Sequence, residues 1–255
     1  MNHSRRKLIA GISLVGAGTL LAGCRQTNRS VISDSPDQNK VEETSEQTKD
    51  LPEVTAIEDL MREHGILRRA LLVYQEAAGK LRERPASVPP EALEKVAQLF
   101  RVFGEDYHEK KLEEAFIFPA IKKGQRPAAA YVEVLLAQHL RGREITDYVL
   151  SVTGADKIPS GVINSFTNAL ESFVRMYEHH AALEDTVIFP AWKTTLQAGE
   201  LDEIGARFEE IEQQQFGEDG FDAAVKRMVE IEESLGLAKL ETFTAPPPPA
   251  RGTQK

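Results

Sequence analysis

Apolar residues recur at three- and four-residue steps along most of the sequence, in long runs separated by proline and glycine. Because an α-helix repeats about every 3.6 residues, this spacing predicts helices with one buried face. Four long runs share it, at about 53–81, 90–124, 127–154 and 159–192. Two shorter runs of the same kind follow at about 201–214 and 221–236.

The breaks between the long runs are short and contain the residues that end helices. Pro90 suits the first turn of the second helix, and Gly154 suits the end of the third. Short connections favour antiparallel neighbours, and no run alternates as a strand would. The sequence therefore predicts an all-α protein over 53–240, an up-down-up-down antiparallel four-helix bundle with two additional C-terminal helices.

The N-terminal segment, 1–24, has a different pattern. Arg5, Arg6 and Lys7 precede an uncharged run over 8–21, and Leu-Ala-Gly-Cys closes the segment at Cys24. The run is too short for a permanent membrane span, which indicates a signal peptide. The segment resembles a bacterial lipoprotein signal, which implies that Cys24 is lipidated. An ordinary signal with an incidental cysteine is the alternative, and the paired arginines also resemble a twin-arginine export signal.

The segments on either side of the predicted domain have little to bury. Residues 25–52 are almost entirely polar, which predicts a disordered tether, and 241–255 begin with a proline run typical of a disordered tail. With lipid at Cys24, the tether would hold the domain beside a membrane. We therefore expect a location in the cell envelope, lipid-anchored on the extracytoplasmic side.

Composition excludes several classes of function. The net charge is −9, and phosphate backbones need a basic face, so nucleic acid is not an expected partner. Cys24 is the single cysteine. The predicted domain therefore has no disulfide, no thiolate nucleophile and no cysteine-ligated zinc or iron–sulfur cluster.

Two similar strings occur in the second and fourth of the long runs. The first, at 107–120, reads YHEKKLEEAFIFPA, and the second, at 178–191, reads EHHAALEDTVIFPA. His64 and His139 occupy matching places in the helices that precede these strings. Two similar helix pairs, packed about a pseudo-twofold axis, would bring two sets of side chains together in the core.

The repeated residue types suit a metal centre. Imidazole binds iron and several other first-row metals, and a carboxylate can join two cations through its two oxygens. Two pairs have the four-residue separation of one helical face: Glu109–Glu113 and His180–Glu184. Two others are five residues apart and need a local π-type widening: His108–Glu113 and His179–Glu184.

Together the strings and the two preceding histidines resemble the hemerythrin/HHE cation-binding family over about 53–192. The resemblance implies a four-helix bundle around a non-haem centre of two iron ions. Carried over position by position, it implies histidine terminal ligands at His64, His108, His139 and His180. It implies bridging carboxylates at Glu113 and Glu184, with His179 as a second candidate beside the favoured His180.

The sequence departs from the oxygen-carrying members of that family. Those proteins have two histidines on the third helix, whereas Arg143 and Glu144 follow His139 here. Glu109 aligns with His180, which makes it a further ligand candidate. Glu114 and Asp185 could be outer partners of the imidazoles or part of a solvated face.

The predicted function is a di-iron protein that binds or senses oxygen or a related small ligand. Because simple reversible oxygen carriage is in doubt, two alternatives stay open. One is an oxidoreductase that consumes peroxide or nitric oxide, and the other is an iron-handling envelope protein. All histidines after Cys24 fall within the repeat, which favours metal binding over unrelated core histidines.

Overall fold

A computed structural model describes residues 54–124 and 127–249, and the bundle occupies most of them. The helices in chain order are α1 (Ala56–Glu83), α2 (Pro90–Leu99, Phe100–Ile117 and Phe118–Lys123), α3 (Val132–Thr153), α4 (Ile163–Leu183, Glu184–Ile188 and Phe189–Lys193), α5 (Glu200–Phe216) and α6 (Gly220–Ser234). Short 3₁₀ turns lie at Pro85–Ser87, Pro127–Tyr131, Ser160–Val162 and Leu240–Phe243. The predicted signal, its Cys24 and the predicted tether lie outside the described residues.

Helix α1 begins where its sequence provides a reciprocal cap. The Thr55 hydroxyl accepts from the Glu58 backbone N–H at 3.3 Å, and the Glu58 carboxylate accepts from the Thr55 N–H at 2.8 Å. The cap satisfies backbone donors that a helix start otherwise leaves unpaired. It fixes the start of the helix that contributes His64.

Helices α2 and α4 each contain a π-helical piece, Phe100–Ile117 in α2 and Glu184–Ile188 in α4. A proline follows closely after each piece, at Pro119 and Pro190. Proline has no backbone N–H, so the α-helical ladder cannot continue unchanged through it. In the wider turns of a π-helix, each backbone N–H donates to the carbonyl five residues before it. Such pieces are frequent at functional sites.

The closing hydrogen bonds of these pieces fall on the two predicted bridging glutamates. The Phe118 N–H donates to the Glu113 carbonyl, and the Phe189 N–H donates to the Glu184 carbonyl. The sequence pattern called for a widened turn between His108 and Glu113, and both residues lie within the π piece of α2.

The four long helices form a ring in which α1 packs on α2 and α4, and α3 packs on the same two. The last pieces of α2 and α4 also touch each other. The core between them is dominated by aromatic rings, with Phe100 in contact with Tyr74, Phe173 and Tyr177. This arrangement confirms the predicted all-α bundle. Within the described residues the chain contains no strand.

The two additional helices, α5 and α6, pack on the face formed by α1 and α2. Phe216 at the end of α5 contacts Tyr107 at a ring separation of 5.3 Å. Arg69 of α1 makes a two-pronged ion pair with Glu232 of α6. The C-terminal helices thus cover one side of the bundle.

Across the described ranges, every helix is too short or too polar to be a candidate for crossing a bilayer.

Candidate metal centre

Four buried imidazoles converge at the centre of the bundle, and each long helix contributes one. His64 of α1 and His108 of α2 bring their Nε2 atoms within 3.0 Å of each other. His139 of α3 and His180 of α4 do the same at 3.1 Å. The four rings therefore form two pairs, with their Nε2 atoms facing inward.

Two buried carboxylates lie between the imidazole pairs. One oxygen of Glu113 is 3.2 Å from His108 Nε2, and the other is 3.3 Å from His139 Nε2. The Oε2 atom of Glu184 is 3.0 Å from His180 Nε2 and 3.5 Å from His64 Nε2. Each carboxylate therefore faces both pairs, which is the position of a group that bridges two cations.

The outer nitrogen of every one of these imidazoles has an oxygen acceptor. The Nδ1 atoms lie 2.5–2.9 Å from those acceptors, in the pairs His64–Asp185, His108–Glu63, His139–Glu114 and His180–Gln138. An ionised carboxylate only accepts, so the Nδ1 must hold the proton in three of the pairs. This leaves Nε2 as a lone-pair donor toward the centre, the arrangement that metal-binding histidines use.

Two arginines fix the outer carboxylates in turn. Arg68 pairs with Asp185, and Arg143 donates to Glu114 at 2.7 Å. Each arginine lies one helical turn after the lone histidine of its helix, His64 or His139. The imidazole, the carboxylate and the guanidinium thus form the same chain on both sides of the centre.

Aromatic rings pack against the lone histidines. Phe189 stacks on His64 at 5.3 Å, and Phe118 stacks on His139 at 5.5 Å. These phenylalanines occupy the same place in the two strings, directly before the prolines. They hold the imidazole planes and exclude water from them.

The donor set fits metal cations. Both oxygens of Glu113 and both of Glu184 are buried, and among the described residues they receive no hydrogen bond. Buried carboxylate oxygens without a donor are costly, so they require positive charge beside them. Cations placed among these oxygens and nitrogens supply that charge.

The pKa values of two of the imidazoles also show that the centre favours positive charge. Burial lowers the pKa of His139, but Glu109, Glu113 and Glu114 outweigh it and raise that pKa to about 10. For His108, burial is likewise outweighed by Glu113 and Glu63, so its pKa lies well above the usual value. Metal binding must therefore displace protons, and we expect it to weaken as the pH falls.

Glu109 lies beside the centre without facing its Nε2 atoms. It accepts from the Tyr177 hydroxyl at 2.7 Å and from Arg143 at 3.0 Å. Its nearest approach to His139 is 3.9 Å, on the outer Nδ1 side. Glu109 thus lies outside the six inward-facing side chains, in a neighbouring group with Glu114 and His139 that could also hold a cation.

Gly142 of α3 makes room for the Tyr177 hydroxyl. A Cβ at this position would lie 2.0 Å from that oxygen, closer than any contact between such atoms allows. The glycine therefore permits the hydrogen bond between Tyr177 and Glu109.

His179 is exposed, whereas His180 is buried with its Nε2 on the centre. Adjacent helical positions point about 100° apart, so only one of the two can face the core. The structure therefore places His179 at the surface and His180 in the core. The side chains that the structure brings together at the centre are six: His64, His108, His139, His180, Glu113 and Glu184.

A small cavity reaches the centre from between α1 and α4. Its volume is about 10 Å³, and its lining includes Leu67, Leu71, Ala181 and Tyr177 as well as all the inward-facing side chains except His139. Arg68 also lines it, with 39% of its side chain exposed. Because five of the six inward-facing side chains line it, this cavity is the space that bound cations would occupy.

Sequence reasoning missed two pairs of outer residues. Glu63 and Gln138 directly precede the lone histidines, and Arg68 and Arg143 follow them by one helical turn. All four recur at the same offset that separates His64 from His139. A comparison of the two first helices of the repeat, residue by residue, would have found them.

Comparison with known proteins agrees with this geometry. The model of the hemerythrin HHE cation-binding domain matches residues 55–192. Uncharacterised proteins of Mycobacterium bovis and of two strains of Mycobacterium tuberculosis are each 40% identical over 210 residues, which is 82% of this chain and 80% of theirs. No solved structure matches the chain.

The match covers more than half of the chain, so the protein belongs to the hemerythrin HHE cation-binding family. The clustered histidines and glutamates at its centre are compatible with the metal binding that defines the family.

Proposed function

We propose that the four imidazoles and two carboxylates hold two iron ions, and that oxygen or a related small ligand binds there. The observation that carries the proposal is Glu113, whose two oxygens face different imidazole pairs. A carboxylate that divides its oxygens in this way suits two neighbouring cations. A set of imidazoles and carboxylates without thiolates suits iron.

The surrounding side chains would set what reaches the ions. When bound, a pair of iron ions supplies electrons and open coordination positions for a small ligand. Leu67, Leu71 and Ala181 give the cavity apolar walls, which exclude bulk water.

A second candidate function is the consumption of peroxide or nitric oxide. It is favoured by the Tyr177 hydroxyl and the Glu109 carboxylate, which line the cavity and share a hydrogen bond of 2.7 Å. These groups place an exchangeable proton beside the ligand, which reversible binding does not need and reduction does.

Anaerobic loading with ferrous iron tests the proposal. Metal analysis should give two ions per chain, and admission of oxygen should produce a visible absorption band. The adjacent histidines provide a matched pair of variants: His180→Ala should lose metal and band, and His179→Ala should keep both. An unchanged His180→Ala protein, or a single ion per chain, would contradict the two-ion centre.

The lifetime of the band separates the candidate functions. A band that persists supports binding or sensing. Decay with repeated turnover of added peroxide or nitric oxide supports the oxidoreductase. A protein that gains thermal stability from iron, but shows no oxygen-dependent spectrum, would instead be an iron-handling protein.

We also propose that the domain is lipid-anchored at Cys24 in the cell envelope. The support is the sequence alone: a basic segment, an uncharged run and Leu-Ala-Gly before the cysteine. Mass spectrometry of the purified full chain should find lipid on Cys24, and Cys24→Ser should leave the membrane fraction. A wild-type protein without lipid, or a membrane-bound serine variant, would refute the anchor.

A further inference from the structure

A group of buried polar atoms lies beside the metal centre and takes no part in holding it. Glu105 of α2 is fully buried, and neither of its carboxylate oxygens has an aligned hydrogen bond among the described residues. The same holds for the Tyr74 hydroxyl of α1, and the Thr146 hydroxyl of α3 lies beside Glu105. Buried polar atoms are seldom left without partners, so this cluster marks a polar interior that suits water.

The cluster extends outward to solvent through Arg101. Its Nε lies 2.8 Å from a Glu105 oxygen, although the two are not aligned as a hydrogen bond. The same guanidinium donates at 2.6 Å to Asp147, which is exposed. About a third of the Arg101 side chain is itself exposed, so one end of the cluster reaches the surface.

The cluster extends inward to the ligand cavity. Glu109 lies one helical turn after Glu105 on α2, and it accepts from Arg143 and from the Tyr177 hydroxyl. Glu109 and Tyr177 both line the cavity at the metal centre. Asp147, Arg101 and Glu105 therefore lead inward from solvent, and Glu105 lies close enough to the Tyr177–Glu109 pair for their charges to affect one another. We call this succession of groups the polar track.

We propose that Glu105 is the proton-holding group of this track and exchanges protons between solvent and the ligand cavity. The proposal rests on the proposed function, because proton delivery matters only if a ligand in the cavity is reduced. In each transfer the Glu105 carboxylate takes up one proton from the solvent side. It becomes a carboxylate again when that proton passes inward, and no electrons move.

The charge around Glu105 suits this role. Burial raises its pKa to about 7, the Thr146 hydroxyl and the two arginines lower it, and the Glu109 charge raises it. A carboxyl that titrates near neutrality both accepts and releases protons readily. The groups that face it from α1, α2, α3 and α4 are Tyr74, Arg101, Glu109, Arg143, Thr146 and Tyr177.

Infrared difference spectra of the metal-free protein test the proton-holding step without any iron chemistry. The C=O stretch of a buried protonated carboxyl should be lost as the pH rises through about 7, the pKa of Glu105. Glu105→Gln should abolish this change, and Asp106→Asn, which alters a partly exposed carboxylate beside it, should not. A change that survives in Glu105→Gln overturns the proposal.

Proton uptake by the iron-loaded protein tests the relay. With an indicator dye and added peroxide, Glu105→Gln should slow uptake by about tenfold or more, with iron content and absorption unchanged. Glu105→Asp should recover part of the rate, and Asp106→Asn should match wild type. Equal rates in wild type and Glu105→Gln refute the relay. A wild-type protein that binds iron but consumes no peroxide also refutes it, whereas failure to bind iron refutes the proposed function itself.

Discussion

The two halves of the metal centre have the same parts but different surroundings. In the half built on His64 and His108, Arg68 is partly exposed at the mouth of the cavity. In the half built on His139 and His180, the corresponding Arg143 is more buried and donates to both Glu109 and Glu114. The repeat thus keeps the groups that face the centre and varies the groups that surround them.

A single pair of positions shows how that variation arises. Leu67 and Gly142 occupy the same place in the two repeats, since each follows the lone histidine of its helix at the same distance. Leu67 lines the cavity, whereas the missing side chain at Gly142 admits the Tyr177 hydroxyl, which closes the other side with Glu109. The two halves therefore differ at this position, because glycine at 142 leaves the space that the Tyr177 hydroxyl occupies.

The largest effect is expected from removing the charge of Glu113, the carboxylate whose two oxygens face the two halves. Glu113→Gln removes a buried charge that faces both imidazole pairs, and such losses cost about 3–5 kcal/mol. We expect the affinity for the second iron ion to fall by more than about a hundredfold.

Metal analysis and competition with a chelator would measure this loss. Glu178→Gln provides the control, since Glu178 is an exposed glutamate on the same helix as His180. Two tightly held ions in Glu113→Gln would show that the halves bind independently of this carboxylate.

The next effect concerns Glu105, the buried carboxyl of the polar track. The pKa of Glu105 rises from 4.5 to about 7 on folding, chiefly through burial. The folded protein therefore holds more protons than the unfolded chain between these values, and its stability falls as the pH rises through this window. The full loss corresponds to about 3 kcal/mol.

Glu105→Gln has no charge to bury, so it should be stabilised relative to wild type at a pH above the folded pKa of about 7 but not below the unfolded value of 4.5. Urea unfolding of the metal-free proteins on the two sides of this window would measure the difference. If the variant and wild type lost stability in parallel, a carboxyl other than Glu105 would be responsible.

A smaller effect is expected from closing the space at Gly142. Gly142→Ala would place a Cβ 2.0 Å from the Tyr177 hydroxyl, so the tyrosine must move and release Glu109. Such overpacking costs about 1–3 kcal/mol. Gly79→Ala is the matched control, because a Cβ there meets nothing within 4 Å and alanine favours a helix by about 1 kcal/mol.

The two glycine variants should therefore shift the free energy of unfolding in opposite directions in denaturant titrations. Stabilisation by both substitutions would mean that Tyr177 adapts without cost and that Gly142 does not set the difference between the halves.

The smallest effect is expected from giving His108 and His180 the same kind of acceptor for their Nδ1 protons. Glu63 accepts from His108 where Gln138 accepts from His180, so Glu63→Gln converts one half to the pattern of the other. An amide oxygen still accepts the Nδ1 proton, so iron affinity should fall by less than about tenfold. Calorimetric titration would measure it, with Gln138→Glu as the reverse exchange. A loss of about a hundredfold would show that the charge of Glu63, and not only its acceptor, supports binding.

Much of the bundle followed from the sequence because its helices carry strong periodicity and end at prolines and glycines. The described structure confirms the all-α architecture, and the observed ends of α1, Ala56 and Glu83, lie within a few residues of the predicted 53–81. Cys24 and the predicted anchor lie outside the described residues and stay predictions.

Which side chains face the centre depends on where α2 and α4 are π-helical, and the spacing of apolar residues does not reveal this. The repeat aligns His108 with His179, but α2 is π-helical around His108 while α4 is α-helical up to Leu183. That difference shifts the inward position by one residue, to His180. Alignment of the two strings therefore pointed to Glu109 as a ligand and could not separate His179 from His180.

Each proposed ion would be held by side chains from both repeats. Glu184 of the second repeat faces His64 of the first, and Glu113 of the first repeat faces His139 of the second. Each position would therefore lose a carboxylate if one helix pair were detached from the other, and we expect both ions to be held more weakly. Loaded protein should then exchange its core amide hydrogens only by opening as a single unit, and a fragment with one helix pair should bind iron more weakly than the full chain.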